Sequence, residues 1–339
     1  MKFGPVPVDS ALGAIVAHAV RRDGVMLKKG QIVTPEQQAS LAAAGVDEII
    51  VARLEPGDVG EDEAARLLSQ RLAGRHVRRE RAFTGRVNLF AEAAGLVVID
   101  APAIERVNAI CEEITAATLA PYSAVARGDM IATVKIIPFA VAGRSLEESL
   151  AAAGNGAVRV APYRPLSIGV VSTLLPGLKA PVVNKTLRIL ADRVAPAGAT
   201  IVREERVAHE VRALAGALEA MAPDCDVMVI FGASAITDRR DVIPAAIEAL
   251  DGRIEHFGMP VDPGNLLLLA AWRGKPVIGA PGCARSPKEN GFDWVLRRIL
   301  ADVPIGGADI KAMGVGGLLM EIASRPQPRL GDCSGPGDG

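Results

Sequence analysis

At 339 residues the chain is too long for one ordinary hydrophobic core, so two or more domains are expected. Half of it is apolar, its formal net charge is −1 and aromatics make up only 3%, which excludes a partner held by general basicity and leaves few platforms for stacking bases. Its four cysteines (Cys111, Cys225, Cys283, Cys333) and four histidines (His18, His76, His209, His256) are scattered and form no CxxC pair, which argues against structural zinc and a disulfide framework and fits a reducing compartment.

The start, "MKFGPVPVDSALG", lacks the basic start and apolar run of a signal peptide. The longest apolar stretch, Leu266 to Trp272, is too short to span a bilayer. A cytoplasmic protein with no membrane and no nucleic-acid partner is therefore expected. In the first segment, Thr34 caps a predicted helix with Pro35 at its first position, Gly45 ends it, and Glu48–Val51 makes a strand. "EDEAARLLSQRL" is an amphipathic helix with acids in its first turn, and the basic run from Arg75 reads as solvated surface. "GLVVID" is a strand, "APAIERVNAICEEITAATL" a helix, "MIATVKIIPFAV" a strand pair, and "GRSLEESLAAAGNG" a helix ended by glycine. Strands in 85–141 are expected to pair with the first segment. A domain boundary falls near 160, at Pro162 and Pro165, which makes 1–160 a smaller mixed α+β region.

From Leu166 to Asp302 strands and helices alternate. The strands "LSIGVVST", "ATIVREE", "DVMVIF" and "KPVIGA" are separated by predicted helices at 184–194 (with Asn184 as cap), 207–221, 241–250 and 291–302. Nearly continuous apolar strands separated by helices imply an α/β fold, a mostly parallel sheet covered on both faces. This domain is read as 161–323, with 324–339, rich in glycine, proline and polar residues, as a disordered tail.

In such sheets ligands sit at the carboxyl ends of the strands, near the point where strand order reverses. Three loops leave strands on that edge: Ser172 to Asn184, Gly232 to Asp241, and Gly279 to Gly291. Their small residues and hydroxyls, followed by helix starts, suit an anionic small molecule. Arg239 or Arg240, Arg285 and Lys288 can add charge-assisted bonds to a phosphate. Asp241, directly before a helix, reads either as a cap or as a carboxylate that holds a ligand or a magnesium-bound phosphate, and spacing does not decide. Cys283 reads as a small buried residue or as a reactive thiol.

At this point the chain resembles a known family. "GASAITDRRDVIPAAI" resembles the glycine-rich loop of the molybdopterin-binding domain in molybdenum cofactor biosynthesis proteins, and "GMPVDPGNLLLLAAWRGKPVIGAPG" looks like the block that follows it. "LKKGQIVTPEQQASLAAAGVDEIIV" resembles a segment of the molybdopterin molybdotransferases. The resemblance implies a three-layer α/β/α domain that binds molybdopterin. Family positions fall on Ser172, Asn184, Gly232, Ser234, Asp241, Pro263, Gly264, Pro281 and Gly282 as ligand-binding candidates, and a catalytic role carries over only to Asp241. The same loops add Thr173, Ala233, Thr237, Asp238, Arg240, Cys283 and Ser286 as candidates.

The departures from the family pattern are specific. "STLLPG" stands where the family has Thr-Gly-Asp-Glu, so its acidic pair is absent. Ala233 replaces the second glycine, Asn265 a lysine, and Cys283-Ala284 an Asn-Pro. Two functions remain open. One is an enzyme of cofactor assembly inserting molybdate into molybdopterin, with magnesium and molybdate as implied partners. The other is a non-catalytic molybdopterin carrier or sensor, and a nucleotide hydrolase on the same fold is the minor alternative. A homo-oligomer is expected, as is contact with molybdoenzymes during their maturation.

Overall fold

The computed structural model describes residues 1–176 and 180–319, and the expected disordered tail lies outside them. The chain divides into two units, Met1–Tyr163 and a second beginning at Arg164.

The first unit holds two apolar cores. In the first, helix Pro35–Ala43 packs near strands Lys2–Pro7, Glu48–Arg53 and Ile15–Val16, around Val8, Leu27, Leu41 and Val51. Its start carries the expected cap: the Thr34 hydroxyl accepts from the Gln37 amide, and the Gln37 side chain accepts in return from the Thr34 amide. The second core gathers helix Glu61–Leu72 against a sheet ordered Ile114–Thr118, Met130–Ile136, Arg86–Ala91, Val77–Arg79.

Two expectations are corrected here. The predicted helix over 101–119 ends at Ile110, where Cys111 turns extended, and Ile114–Thr118 is a strand paired with Met130–Ile136. Its β-branched Ile114, Thr115 and Thr118 suit a pleated surface better than a helix. Of the strands in 85–141, Ala140–Ala142 pairs with Asp58–Gly60 in the first segment. Arg86–Ala91, Ile114–Thr118 and Met130–Ile136 instead form one ladder, with Val77–Arg79 at its edge.

The second unit is the three-layer α/β/α domain. Its elements run β1 (Ser167–Leu174), α1 (Ala180–Val194), β2 (Thr200–Ala208), α2 (Val211–Met221), β3 (Val227–Phe231), α3 (Val242–Glu248), β4 (Arg253–Phe257), β5 (Leu268–Trp272), β6 (Lys275–Ala280), α4 (Gly291–Leu300) and α5 (Gly307–Ala312). The sheet order is β2-β1-β3-β6-β5-β4. β2, β1, β3 and β6 are mutually parallel, and β5 runs antiparallel to both of its neighbours.

Both faces are covered, which explains why all five residues of β3 are buried. Val171, Met228 and Ile230 pack with α2 and α3 on one face. On the other, Phe231 meets Phe292 of α4 at 6.5 Å between ring centroids. Two helix starts differ from expectation. α1 begins at Ala180, ahead of Asn184, because Pro181 suits the first turn, where its missing amide costs nothing. α2 begins only at Val211, because Val207 and Ala208 still pair with Thr173 and Leu174.

Candidate functional site

The register brings the predicted loops to one edge. Ser172 lies level with Phe231, and Phe231 with Ala280, so β1, β3 and β6 end side by side. The hairpin partner of β6 begins there too, since Leu268 faces Gly279, so the segment carrying Pro263 and Gly264 borders the same edge. From β1 the chain goes to β2 on one side and then crosses to β3 on the other. The reversal of strand order therefore lies between the ends of β1 and β3, where a crevice is expected.

One peptide unit bridges that point. The Ala233 amide donates to the Thr173 hydroxyl at 2.9 Å, and the Gly232 carbonyl accepts from Arg285 Nη2 at 2.7 Å. Beneath it, Ile236 is buried, and a Cβ on Gly279 would come within 2.7 Å of its terminal carbon. An apolar side chain inside a polar loop thus pins the loop to β6. Gly232 is required by the loop itself, since a Cβ there would meet the Ser234 carbonyl oxygen at 2.6 Å and Ile243 at 3.0 Å.

Arg285 is half-buried and stacks over the Phe231 ring at 5.7 Å. Burial pushes its guanidinium below the usual value, and no carboxylate offsets that among the described residues. It stays charged at neutral pH all the same.

The other candidates divide into engaged and exposed groups. Asp241 caps α3: one carboxylate oxygen accepts from the Val242 amide at 2.7 Å and the other from the Thr237 amide at 3.4 Å. Asp238 is held below the usual carboxylate range by Arg240, whose Nε lies 2.8 Å away. Ser234, Thr237, Asp238 and Arg240 are exposed along the outer rim. Ser172 and Thr173 are both buried but, as neighbours on one strand, face opposite sides of the sheet. The Ser172 hydroxyl has no hydrogen-bond partner among the described residues. Asn184 is not a cap; it sits within α1 and accepts from Arg206 of β2 at 2.7 Å.

Residues 281–290 are held from below by Arg193 of α1. Its Nε donates to Asp293 at 2.7 Å, and its terminal nitrogens donate to the carbonyls of Ala284, Ser286 and Lys288. Asn290 and Asp293 cap α4 reciprocally, and Asn290 also reaches the Cys283 carbonyl. Gly264 packs backbone against backbone with Gly291, and the Gly291 amide donates to Pro263. Within this well-anchored turn Gly282 is exposed, and a Cβ on it would meet nothing within 4 Å.

Sequence reasoning did not single out Arg193, Ile236 or His209. His209 Nδ1 lies 2.8 Å from the Thr173 hydroxyl, and its Nε2 faces an Asp241 oxygen at 4.0 Å. The polar turn His209–Glu210 after β2, on the same edge, was the available signal.

The carboxylates present do not fit a magnesium site. Asp238 is taken by Arg240 and Asp241 by two amides, and no group of three metal-binding side chains occurs among the described residues. Neither of two described concavities is lined by residues of this edge. One, of about 310 Å³, is lined by Asp100, Asn155 and Arg159, and the other, of about 440 Å³, by Glu219, Asp251, Trp272 and Arg273. The second sits by the β5–β6 turn, at the opposite end of the sheet, so size does not rank it above the convergent polar groups at the strand ends. Among the described residues no helix is long and apolar enough to cross a membrane.

Residues 168–302, the segment that builds this edge, match the family model described as "Probable molybdopterin binding domain". This segment belongs to the molybdopterin-binding domain family. Residues 5–53, which make the first apolar core, match a domain of unknown function (DUF8806). No curated protein matches the chain significantly.

Among solved structures, the chain is similar to a molybdopterin biosynthesis MoeA protein from Pyrococcus horikoshii, at 16% identity over 89% of this chain and 76% of that one, with a TM-score of 0.31. It is similar to a molybdenum cofactor biosynthesis protein from Pyrococcus furiosus at 12% identity, over 89% of this chain and 64% of that one, with a TM-score of 0.27. At those scores neither likeness bears on the arrangement described here.

Proposed function

We propose that the molybdopterin-binding domain holds molybdopterin, or a precursor of the molybdenum cofactor, at the edge where β1, β3 and β6 end, as a step in molybdenum cofactor biosynthesis. Arg285 carries the reading. A guanidinium partly withdrawn from water without a carboxylate partner among the described residues is a charge awaiting an anion. A phosphate there would accept charge-assisted bonds worth about 1.5–3 kcal/mol each. The Ser172 hydroxyl adds an unmet polar group at the end of β1.

Binding without catalysis is the form of the reading that the site favours. Its one candidate catalytic carboxylate, Asp241, is spent on two amides, and the family's acidic pair is absent from "STLLPG". Molybdate insertion is the finer alternative, with molybdate as substrate. Homo-oligomerisation and delivery to molybdoenzymes belong to the same proposal.

The purified protein is examined for bound pterin and then incubated with adenylylated molybdopterin and molybdate. Bound pterin without turnover supports a carrier. Turnover supports a transferase, and no pterin affinity at all contradicts both.

A further inference from the structure

We infer that His209 is a positioning residue of this edge: in its neutral form its Nδ1 accepts a hydrogen bond from the Thr173 hydroxyl and so fixes the oxygen that receives the Ala233 amide. The inference rests on the reading that the Gly232–Ala233 peptide borders the ligand, but its geometry stands without one.

The proton positions follow from the partners. Thr173 Oγ1 already accepts from Ala233 at 2.9 Å, and 2.8 Å to His209 Nδ1 is a second hydrogen bond. Thr173 is 1% exposed, and its hydroxyl makes no other hydrogen bond among the described residues. Its proton therefore points at Nδ1, which makes His209 the acceptor. The remaining ring nitrogen, Nε2, then bears hydrogen. Its surroundings agree, because it faces the Asp241 carboxylate at 4.0 Å. That is too long for a hydrogen bond, yet a bare nitrogen lone pair there would oppose a carboxylate.

A relay results: Asp241 sets the tautomer of His209, His209 turns the Thr173 hydroxyl, and Thr173 holds the Ala233 amide. These residues come from the ends of β2, β1 and β3 and from the cap of α3. Asp241 faces the ring, Arg206 on the strand before it is paired with Glu204, and Glu210 follows it in the turn.

Protonation reverses the relay. With hydrogen on Nδ1, the Thr173 oxygen is met by two donors, and its own buried proton loses its acceptor. The imidazolium is drawn toward Asp241, which loosens the bonds that Asp241 makes to Thr237 and Val242. The Thr173 hydroxyl then loses its fixed orientation, which weakens its hold on the Ala233 amide.

The test is a pH titration of the ligand-free protein by NMR, following the His209 ring nitrogens and the Ala233 amide. At about pH 8 the ring is expected as the Nε2–H tautomer with the Ala233 amide protected from exchange, and on protonation of the ring both signals change together. His209→Gln keeps an acceptor that does not titrate, so the Ala233 amide stays protected and becomes independent of pH. His209→Leu loses the protection. The same pattern is expected in molybdopterin affinity: it falls on acidification in the native protein, by up to about tenfold per pH unit of coupling, and is flat in His209→Gln.

The opposite tautomer, or an Ala233 amide that ignores the ring titration, overturns the inference. Should His209→Leu not fold, the native titration and the Gln variant decide alone. If the native protein binds no molybdopterin at any pH, the proposed function fails while the amide titration still tests His209.

Discussion

Thr173 and Arg285 hold the two polar ends of a single peptide unit. The hydroxyl of one receives the Ala233 amide at 2.9 Å, and the guanidinium of the other donates to the Gly232 carbonyl at 2.7 Å. Residues far apart in sequence thereby lock the β3 loop between the loops of β1 and β6. Thr173→Val removes the acceptor and leaves an amide unmet, at a cost of about 1–3 kcal/mol. Thr173→Ser keeps the oxygen and should cost well under half of that, as read from the urea midpoint of each variant.

Arg193 and Asp293 are each less than one-tenth exposed and lie 2.7 Å apart. Removing one partner strands a buried charge, so Arg193→Leu should destabilise the protein by about 3–5 kcal/mol. The double variant Arg193→Leu/Asp293→Asn should recover part of the loss, because asparagine is uncharged and can still serve the α4 cap. Denaturant unfolding of the single and double variants measures the difference.

How much of this was legible in the sequence follows the range of the forces involved. The Thr34-Pro35 start and the helix Glu61–Leu72 depend on neighbours a few residues away, and they stand where capping and periodicity put them. The parallel sheet was legible because burial on both faces leaves continuous apolar strands such as β3. The helix predicted over 101–119 failed where local pattern gave way to strand pairing with Met130–Ile136. Asn184 failed as a cap because Pro181 starts the helix earlier. At the site, the loops could be assigned to one edge from strand order. The roles of Arg193, Ile236 and His209 could not, since each is set by a partner from 36 to 100 residues away.

His256 of β4 is pushed below the usual imidazole value by burial first, then by the charges of Lys311 and Arg239. A depressed histidine contributes stability that is present above its unfolded value, about 6.5, and is lost as pH falls through the folded value. Acidification should therefore destabilise the native protein more than His256→Gln. Urea midpoints of both at about pH 7.5 and about pH 5.5 give the comparison, and equal losses would remove His256 as a cause.

Two glycines on this edge should behave differently. A side chain at Gly232 collides with Ser234 and Ile243, so Gly232→Val disturbs the loop and cannot isolate a ligand effect. A side chain at Gly282 enters open space. Gly282→Val should keep native stability, within about 0.5 kcal/mol, and still weaken molybdopterin binding by obstructing the approach to the backbone. Thermal unfolding and equilibrium binding on the same sample separate the two.

Arg285 gives the most direct test of the account, which holds that this guanidinium is kept partly dry to meet an anionic pterin. Arg285→Met removes the unpaired charge, retains most of the apolar contact with Phe231, and gives up one bond to the Gly232 carbonyl. Relief from the desolvated charge offsets that lost bond, so stability should be unchanged or slightly raised. The measurement is molybdopterin affinity of the native protein and Arg285→Met, each with its unfolding midpoint. Affinity is expected to fall at least about tenfold with no loss of stability. Equal affinity in the two proteins would contradict it.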